Sequence, residues 1–525
     1  MNEQLGSDGA GLEQAARQIF VRLASTAPAQ WTALRLDFRG GPVHRWVDGH
    51  WTLADGTRRH TVPDTADLYA LATAIGALRG WPRTRLELHH LADGPFTLTA
   101  TRDTSLTRPA GGGHGAVLDP DLAMAAPGED RPDSTAPPAG DPERAADLLR
   151  ASIDRRAELL GHRAELPPPA TPQRIAEAEA TLGFPLPADL RALYLVADGS
   201  GENDVLDGPR LLSLAELPGA HEHLAYAAPP FDWNSPDEAL VQCEPGPLDT
   251  VRRRHHHPAW LPFATDDSGN YYAVDLAPAE AGRPGQVIEL GGDFYEGPAY
   301  RADSVTTLLA RCLDLLDRGC YEIEDDEPPY LEFTESAEEP DGPQTVLTAA
   351  TTPGTVPATL LHARLTGPAP VLAPLAAAPR LRHVTLAARP ADGLGALRGV
   401  ALEHLTATLA GDDLAPLAGH PHLGVLDLSG DGPLDLAVLR TLPALWWLDL
   451  SRCRTLDVAV LGELAGLRHL ALTAAQWEAL TVLPPGLVSA RLADRDTTAE
   501  QAAAWAARLG LVPGEPYRVT GAHRS

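Results

Sequence analysis

The 525-residue chain contains no lysine, so all 42 of its basic residues are arginine. This absence excludes several kinds of catalytic site. A P-loop needs a lysine at the nucleotide phosphates, Schiff-base enzymes need a lysine amine, and protein kinases bind phosphate through a lysine. The sequence also lacks any apolar run of about 18 residues, the length that suggests a membrane-spanning helix.

Cysteine is scarce as well. The four cysteines, Cys243, Cys312, Cys320 and Cys453, have spacings that match no zinc or redox motif, so we expect reduced thiols, no metal and no cofactor. The opening MNEQLGSDGAG lacks the basic segment and the apolar core of a signal peptide. With a mean hydropathy of -0.15, the sequence predicts a soluble cytoplasmic protein of several domains.

The short motifs of hydrolases, GxSxG and HExxH, do not occur. Gly111 to Gly113 lacks the preceding strand and following helix of a phosphate-binding loop, so it is interpreted as a spacer. Asp266, Asp267 and Asn270 do not have EF-hand spacing, and an Asp- and Gly-rich hairpin turn explains them. We expect a protein that is not an enzyme and keep these three residues as candidates for partner binding.

Negative charge is in excess and unevenly distributed. The formal net charge is -29, and residues 171 to 318 contain 24 acidic and 10 basic side chains. Residues 319 to 341 contain 10 acidic side chains and none that are basic. Such a field repels nucleic acid and anionic membranes and speeds association with basic proteins, although acidic residues also simply keep proteins soluble. Arg252 to His257 interrupt this field, and we expect a solvated loop there or a charge pair with the acidic connector.

Residues 166–320 have the most individual order of elements. Thr171 and Pro172 predict the start of a helix that Gly183 ends, and a second helix begins at Pro187. WLPFATDDSGNYYAVDLA (260–277) predicts two strands around a turn, QVIEL (286–290) predicts a third, and Ser304 caps a last helix.

This order resembles the SUKH superfamily, the Smi1/Knr4-like domain. The blocks that carry the resemblance are FPLPADLRALYLVADGSG, LPFATDDSGNYYAVDL, and GQVIEL followed by FYEGPAYRADSVTTLLARCL. The resemblance implies an α+β binding fold, found in immunity proteins that neutralise bacterial polymorphic toxins and in a fungal regulator of cell-wall assembly. It implies no catalytic residues.

The segments before and after this domain have their own patterns. Residues 1–10 are expected to be disordered, and residues 11–104 predict an α-β-β-α-β-β domain that ends in a hairpin across Ala92-Asp93-Gly94. That domain is loosely similar to YezG-like immunity proteins through Trp31 and Trp46. Residues 105–140 predict a Gly/Pro linker, 141–165 a connecting helix, and 321–343 an acidic linker. Tyr321, Tyr330, Leu331 and Phe333 interrupt the acidic linker, so packing of part of it against a neighbour or a partner stays open.

The last third of the chain is a repeat array. The pattern L-x-x-L-x-L, with Ala or Val at one inner leucine position in four of the segments, begins at positions 20 to 22 residues apart, namely Leu360, Leu381, Leu402, Leu423, Leu445, Leu467 and Leu487. This period predicts a leucine-rich repeat solenoid over residues 344–494. Residues 495–525 are expected to cap it, with a helix that starts at a Thr497/Glu500 capping box.

Residues between the leucines are predicted to line the concave sheet. One column contains His362, His383, His404, Val425, Trp447, His469 and Ser489. Stacked histidines can bind metal or sense pH, but a stack in one plane does not surround an ion. We expect Trp447 to point outward and to form, with Asp427, Asp449 and the neighbouring His469, an anchor for a basic residue of a protein partner.

Together these features predict an α+β multidomain binding protein with a small α-β-β-α-β-β domain, a SUKH-like α+β domain and a leucine-rich repeat solenoid. The main hypothesis is a bacterial immunity protein that occludes a basic toxin domain stoichiometrically. The alternative is a regulatory scaffold that joins several protein partners. Neither hypothesis involves nucleic acid or membrane, and the oligomeric state stays open.

Overall fold

The computed structural model describes residues 9–40, 45–61, 65–81, 83–92, 95–104, 106, 112–119, 131–201, 203, 205–226, 241, 244, 246–294, 296–324, 329–334, 344–411, 413–455, 457–512 and 514–522. The chain divides into two compact units. One contains Met1–Ala123, Leu409–Leu414 and Leu426–Ser525, and the other contains Met124–Thr408 and Ala415–Val425. In these described ranges, no helix combines the length and apolar character that crossing a membrane requires.

The first domain is an antiparallel sheet with two helices on one face. Its elements are α1 (Gly9–Ser25), β1 (Trp31–Gly40), β2 (Arg45–Leu53), β3 (Arg58–His60), α2 (Thr65–Arg79), β4 (Thr84–Leu91) and β5 (Pro95–Arg102). Strand alternation turns Leu34, Leu36 and Phe38 toward the helices, where all three are buried. The predicted order is present with β3 in addition, and α1 begins inside the segment expected to be disordered. Asp93 and Gly94 lie outside the described residues.

A short strand, β6 (His114–Val117), follows in the segment predicted to be a linker. The central domain then begins with α3 (Pro142–Leu160), α4 (Pro172–Leu182) and α5 (Ala188–Tyr194). The backbone N–H of Arg174 donates to the Thr171 hydroxyl at 3.3 Å, and Gly183 ends α4 with φ +83°. These caps confirm the helix predicted there. The second helix starts where expected, directly after Pro187, and it ends at Tyr194.

The central sheet lies behind these helices. After β7 (Arg210–Leu211) and α6 (Leu217–Tyr226) come β8 (Trp260–Thr265), β9 (Asn270–Asp275), β10 (Gln286–Gly291), β11 (Ala299–Ala302) and α7 (Val305–Arg318). The sheet order is β11-β10-β9-β8-β7, and adjacent strands are antiparallel. The predicted strands β8, β9 and β10 and the Ser304 cap of α7 are present. β7, β11 and α6 were not predicted, because they lack a strong periodic pattern.

The acidic segment after α7 was predicted to be an extended linker, with packing through its apolar residues left open, and its described part is folded and packed. β12 (Tyr321–Glu324) and β13 (Tyr330–Phe333) form an antiparallel hairpin. Leu331 is buried, and Phe333 packs against the central core with the Arg156 guanidinium over its ring. Alternating apolar side chains anchor the hairpin, and its glutamates remain on the outer face. Residues 325–328 and 335–343 lie outside the described ranges.

The repeat array begins in the second unit with four parallel strands. They are β14 (Val346–Ala349), β15 (His362–Leu365), β16 (His383–Leu386) and β17 (His404–Thr408). Leu365 and Leu386 point inward and are buried. Short 3-10 helices at Ala373–Ala377, Gly395–Gly399 and Ala415–Leu417 form the opposite layer.

The later repeats belong to the first unit. Their elements are β18 (Val425–Leu434), β19 (Trp447–Thr455), β20 (His469–Leu472), α8 (Ala474–Ala479) and β21 (Ser489–Leu492), with 3-10 helices at Ala437–Thr441 and Val458–Glu463. The structure therefore has a strand at each of the seven positions where the pattern predicts one. α9 (Ala499–Arg508) is capped by Thr498 and Gln501, one residue later than the predicted capping box.

Two strands, each paired with a sheet in another part of the chain, link the first domain to the later repeats. β6 pairs antiparallel with β21, and the last strand, β22 (Tyr517–Ala522), pairs antiparallel with β5. Each covers a sheet edge whose backbone groups would otherwise be unpaired. Residues 114–117 are therefore not a linker, and residues 517–522 are not part of a repeat cap.

A substitution at Gly113 provides a test of the pairing between β6 and β21. Its φ is +82°, and a Cβ there would lie 2.2 Å from the Leu492 carbonyl oxygen. Gly113→Ala should therefore destabilise the later repeats by about 2 kcal/mol or more and speed hydrogen exchange in β6 and β21. Gly56→Ala is the matched control, because Gly56 has φ +83° with nothing within 4 Å of its Cβ position. Equal losses for both variants in denaturant titrations would contradict the β6 pairing.

Candidate functional site

The arginine-rich loop before β8 is buried at Arg252 and Arg253 and half-buried from Arg254 to His257, so the prediction of a solvated loop is wrong. Arg252 and Arg253 are each 8% exposed. Arg252 donates from Nε to the Ala277 carbonyl at 2.7 Å and forms an ion pair with Asp133. Burial, followed by the positive charges of Arg254 and Arg252, lowers the pKa of His257 to about 4. These contacts of Arg252 attach the loop to the folded domain.

Arg253 connects the central domain to the repeat array within the same unit. Its Nη2 donates to both carboxylate oxygens of Glu403, at 2.7 and 2.9 Å. The two side chains are 7% and 10% exposed. The sequence left open a charge pair between this loop and the acidic connector, and among the described residues Arg253 pairs with Glu403 of the repeats. The arginine run was visible in the sequence, but nothing near it indicated a partner 150 residues away.

The repeat array holds Glu403 in place. Its backbone N–H donates to the Arg382 carbonyl at 2.8 Å, and its carbonyl accepts from the N–H groups of Gly424 and Val425 at 2.9 and 3.0 Å. Arg382 Nε lies 3.5 Å from Glu403 Oε1. Burial raises the pKa of Glu403, and the charges of Arg253 and Arg382 oppose this shift. The repeat backbone thus fixes the position of Glu403 opposite Arg253.

A second charged network lies beside the first. Arg380 of the repeats donates to both oxygens of Asp249, at 2.6 and 3.0 Å, and to both oxygens of Glu244, at 3.0 and 3.3 Å. Arg131 pairs with the same Glu244 and donates to the Val251 carbonyl at 2.8 Å. Burial alone would raise the pKa of Asp249, but Arg380 and Arg131 lower it. Two arginines therefore share two carboxylates across this contact.

The first three histidines of the predicted column lie next to this contact. The rings of His362 and His383 are 5.5 Å apart, and those of His383 and His404 are 5.9 Å apart. His383 is 1% exposed, and within the described ranges neither of its ring nitrogens has a hydrogen-bond partner. Burial, then the charges of His404, His362, Arg253 and Arg382, lower its pKa well below the usual value. These three histidines are part of a buried contact and not of an open surface.

The predicted aromatic anchor is also wrong. Trp447 is 3% exposed, and its ring stacks on His469 with centroids 5.0 Å apart and an angle of 8° between the planes. His469 donates to or accepts from the Ser489 hydroxyl at 3.1 Å, and burial lowers its pKa to about 3. Large rings on adjacent strands cover one another, because the strand spacing of about 4.8 Å is close to a stacking distance. Trp446 is buried too.

The carboxylates expected beside this anchor have internal partners. Asp427 forms an ion pair with Arg452. Asp449 is 6% exposed and accepts from the Ser451 N–H at 2.8 Å. Burial, then the negative charge of Asp427, raise the pKa of Asp449. A role for these residues in partner binding stays a prediction, and it requires that Arg452 release Asp427.

The Asp-rich turn between β8 and β9 is held together by its own hydrogen bonds. Asp266 accepts from the N–H groups of Ser268 and Asn270 at 2.8 and 3.0 Å. Asp267 has φ +58° and receives two bonds from Arg210, at 2.7 and 3.0 Å. Partial burial alone would raise the pKa of Asp266, but the bonds from Ser268 and Asn270 lower it. Binding of a partner here stays a prediction.

The described residues contain no group of three or more His, Cys, Asp or Glu side chains arranged to hold a metal ion. Cys312, Cys320 and Cys453 are free thiols, and Cys243 lies outside the described residues.

The model of the SMI1 / KNR4 family (SUKH-1) matches residues 169–311, so this part of the chain carries a domain of that family. The match lies within the predicted region, residues 166–320. A KNR4/SMI1 homolog from Yarrowia lipolytica is 41% identical over 80 residues, which are 15% of this chain and 11% of that protein. The cell wall assembly regulator SMI1 of Saccharomyces cerevisiae is 33% identical over 98 residues, 19% of this chain and 18% of that protein.

A third relative, the cell wall biosynthesis/cell cycle regulator smi1 of Schizosaccharomyces pombe, is 32% identical over 133 residues, 24% of this chain and 26% of that protein. The chain thus spans about a tenth to a quarter of the length of these relatives. Among solved structures, an internalin from Listeria monocytogenes matches 26% of this chain and 44% of its own, with 19% identity and a TM-score of 0.19. The likeness of the first domain to YezG-like proteins stays a prediction.

A double-mutant cycle measures the Arg253 to Glu403 contact. Glu403→Leu alone leaves a buried arginine without its carboxylate and should lower the free energy of unfolding by about 3 to 5 kcal/mol. Adding Arg253→Met should restore most of it, because an apolar pair of similar volume needs no charge compensation. The exposed pair of Arg440 and Glu463 is the control, and its removal should change little. Additive losses in urea titrations would contradict the coupling.

The buried His383 makes stability depend on pH. In the unfolded chain a histidine has a pKa of about 6.5, and in the fold this pKa is lowered. The contribution of the neutral ring is therefore fully present above about pH 6.5 and is lost as the pH falls below that value. As the pH falls from about 6.5 to 4.5, His383→Leu should lose less stability than the wild type. The difference should grow by about 1.4 kcal/mol for each pH unit.

Thermal denaturation across this pH range checks the prediction. His162→Leu provides the control, because it replaces a histidine by leucine at an exposed position. A His383→Leu profile that coincides with the wild type would show that the ring contributes nothing to acid sensitivity.

Proposed function

We propose that this protein is a regulatory interaction scaffold, in which a SUKH-1 domain and a repeat array together bind other proteins. The observation that carries the proposal is that the domain at residues 169–311 shares one compact unit with the first repeat strands. Relatives of this domain are named as regulators of cell wall assembly and of the cell cycle. Those names describe the relatives, and they support a regulatory role for the domain here.

The charged contacts of this unit support joint action. Arg253 with Glu403, and Arg380 with Asp249 and Glu244, fix the SUKH-1 domain against β15 to β17. A partner that contacts both modules would meet surfaces whose spacing is already set, so binding would not pay for ordering a flexible linker. The scaffold therefore presents one composite surface and not two independent ones.

The outer face of the β12–β13 hairpin offers a surface for such partners. Glu322 lies opposite Glu332, and Glu324 lies opposite Tyr330. In the part of the chain that is described, none of these glutamates has a basic partner. Two carboxylates opposite each other repel, and a basic side chain of a partner would relieve this repulsion. The acidic field of residues 171 to 341 would raise the rate of such encounters.

Neutralisation of a bacterial toxin remains the second hypothesis. Its support is the acidic character of the same surface, which suits a basic toxin domain, and the immunity role known for part of the superfamily. The named relatives favour regulation. The two functions differ in partner number, because immunity requires one partner in a 1:1 complex and a scaffold requires several.

Affinity purification of the tagged full chain from its own host tests the scaffold. We expect at least two different proteins at stoichiometric levels, with one reduced about tenfold by Glu322→Arg with Glu332→Arg. The same variant should retain partners that bind the later repeats. As a control, Arg150→Glu with Asp147→Arg inverts an exposed helical pair and should retain all partners.

Two results would contradict the scaffold. One is the recovery of a single partner in a 1:1 complex whose toxicity to a sensitive host is abolished by co-expression, which would establish immunity. The other is the absence of any partner that a surface variant releases.

A further inference from the structure

The first domain has a sheet face that its helices do not cover. α1 and α2 pack on the face that contains Leu34, Leu36 and Phe38. The intervening side chains of β1 point to the opposite face, where Arg35 is exposed and Asp37 is half-buried. The exposure of Arg35 and of His89 on β4 shows that this part of the face is open to solvent.

One row of side chains crosses this open face from edge to edge. The strand registers place the members of the row opposite one another in the order Thr520, Thr97, His89, Arg35, His50 and His60. We call these six residues the Arg35 row. Strands lie about 4.8 Å apart, so the row extends over roughly 24 Å. It contains hydroxyl, imidazole and guanidinium groups and no carboxylate.

Of the carboxylates nearest to the row, Asp37 and Glu87 pair with arginines outside it, and Asp48 faces His60 at its edge. In the adjacent row, Asp37 accepts from Arg85 Nε at 2.9 Å and pairs with Arg39, and Glu87 pairs with Arg85 at 2.9 Å. Asp48 lies 4.0 Å from His60. Within the described residues, neither Arg35 nor His89 has a hydrogen-bond or ion-pair partner. Their donors are therefore available to a ligand from outside.

We propose that the Arg35 row is a docking surface for an acidic, extended segment of a protein partner. Carboxylates of such a segment would accept hydrogen bonds from the Arg35 guanidinium, and the threonine hydroxyls at the other end of the row would bind its polar groups. The rigid sheet holds the donors in place before binding, so little entropy is lost in ordering them.

Charge and chemistry favour an acidic protein segment over nucleic acid. The chain has a net charge of -29, which repels a long polyanion. A short acidic segment responds mainly to charges within a Debye length of about 8 Å. On this part of the face Arg39 and Arg85 neutralise Asp37 and Glu87, which leaves the charge of Arg35 for the segment. The row also lacks the Phe, Tyr and Trp rings on which single-stranded nucleic acids stack. This surface belongs to the first domain and not to the SUKH-1 domain. It would therefore add an acidic partner to the basic partner that the proposed scaffold binds at the β12–β13 hairpin.

A labelled peptide tests the surface on the full chain. The probe is a fluorescein-labelled peptide of alternating Glu and Ser, and the control probe has Gln in place of Glu. At about 50 mM salt, fluorescence anisotropy should show binding of the acidic probe that weakens steeply toward about 200 mM. Arg35→Gln with His89→Gln should weaken it about tenfold. Both positions are exposed, and unchanged amide exchange in β1 and β4 would confirm that the sheet is intact.

Matched controls separate this site from general charge effects. Arg150→Gln with His162→Gln removes the same residue types from exposed positions elsewhere and should leave binding unchanged. Failure of the acidic probe to bind, or equal affinity for the wild type and the Arg35 and His89 variant, would overturn the proposal. Tighter binding of a thymidine oligonucleotide at the same residues would replace the protein partner with nucleic acid and would also overturn it.

Discussion

The buried ion pair of Arg253 and Glu403 is the interaction on which the second compact unit depends. Removing two charges from water costs several kcal/mol per ion, and only good geometry with further hydrogen bonds offsets that cost. Here Arg253 contacts both carboxylate oxygens, and Arg382 lies 3.5 Å from one of them. Such a pair adds little to stability compared with apolar packing, but it strongly disfavours other arrangements of the two modules. We infer that it specifies how the SUKH-1 domain docks on the repeats.

The use of arginine alone as the basic residue suits this architecture. A guanidinium has five donors in a planar fork, so Arg380 can bind Asp249 and Glu244 together, and Arg210 can bind Asp267 and Glu216. Lysine offers one compact charge and would satisfy fewer carboxylates at each position. In the first unit, strand pairing and not a charged contact joins the first domain to the later repeats. β6 pairs with β21 of the repeats, and β22 pairs with β5 of the first domain.

Local patterns predicted most of the elements, whereas burial of the candidate site depended on distant packing. The caps at Thr171 and Ser304 and the leucine period act over a few residues, so the sequence displays them directly. The burial of Arg253 depends on a residue far away in the sequence, and the burial of Trp447 depends on a side chain of the next strand. Arg253 meets a glutamate 150 residues later, and Trp447 is covered by His469. The strand β6 was missed because glycine signals a linker as readily as a close backbone approach.

Native-state hydrogen exchange in increasing denaturant is the most direct test of whether the SUKH-1 domain and the early repeats form one unit. The amides of β9 in the domain and of β15 and β16 in the repeats report the opening free energy of each module. If the charged contacts unite the modules, these free energies should converge on one unfolding transition at high denaturant. Two separate limiting free energies, one for each module, would show that they open independently and would contradict a composite scaffold.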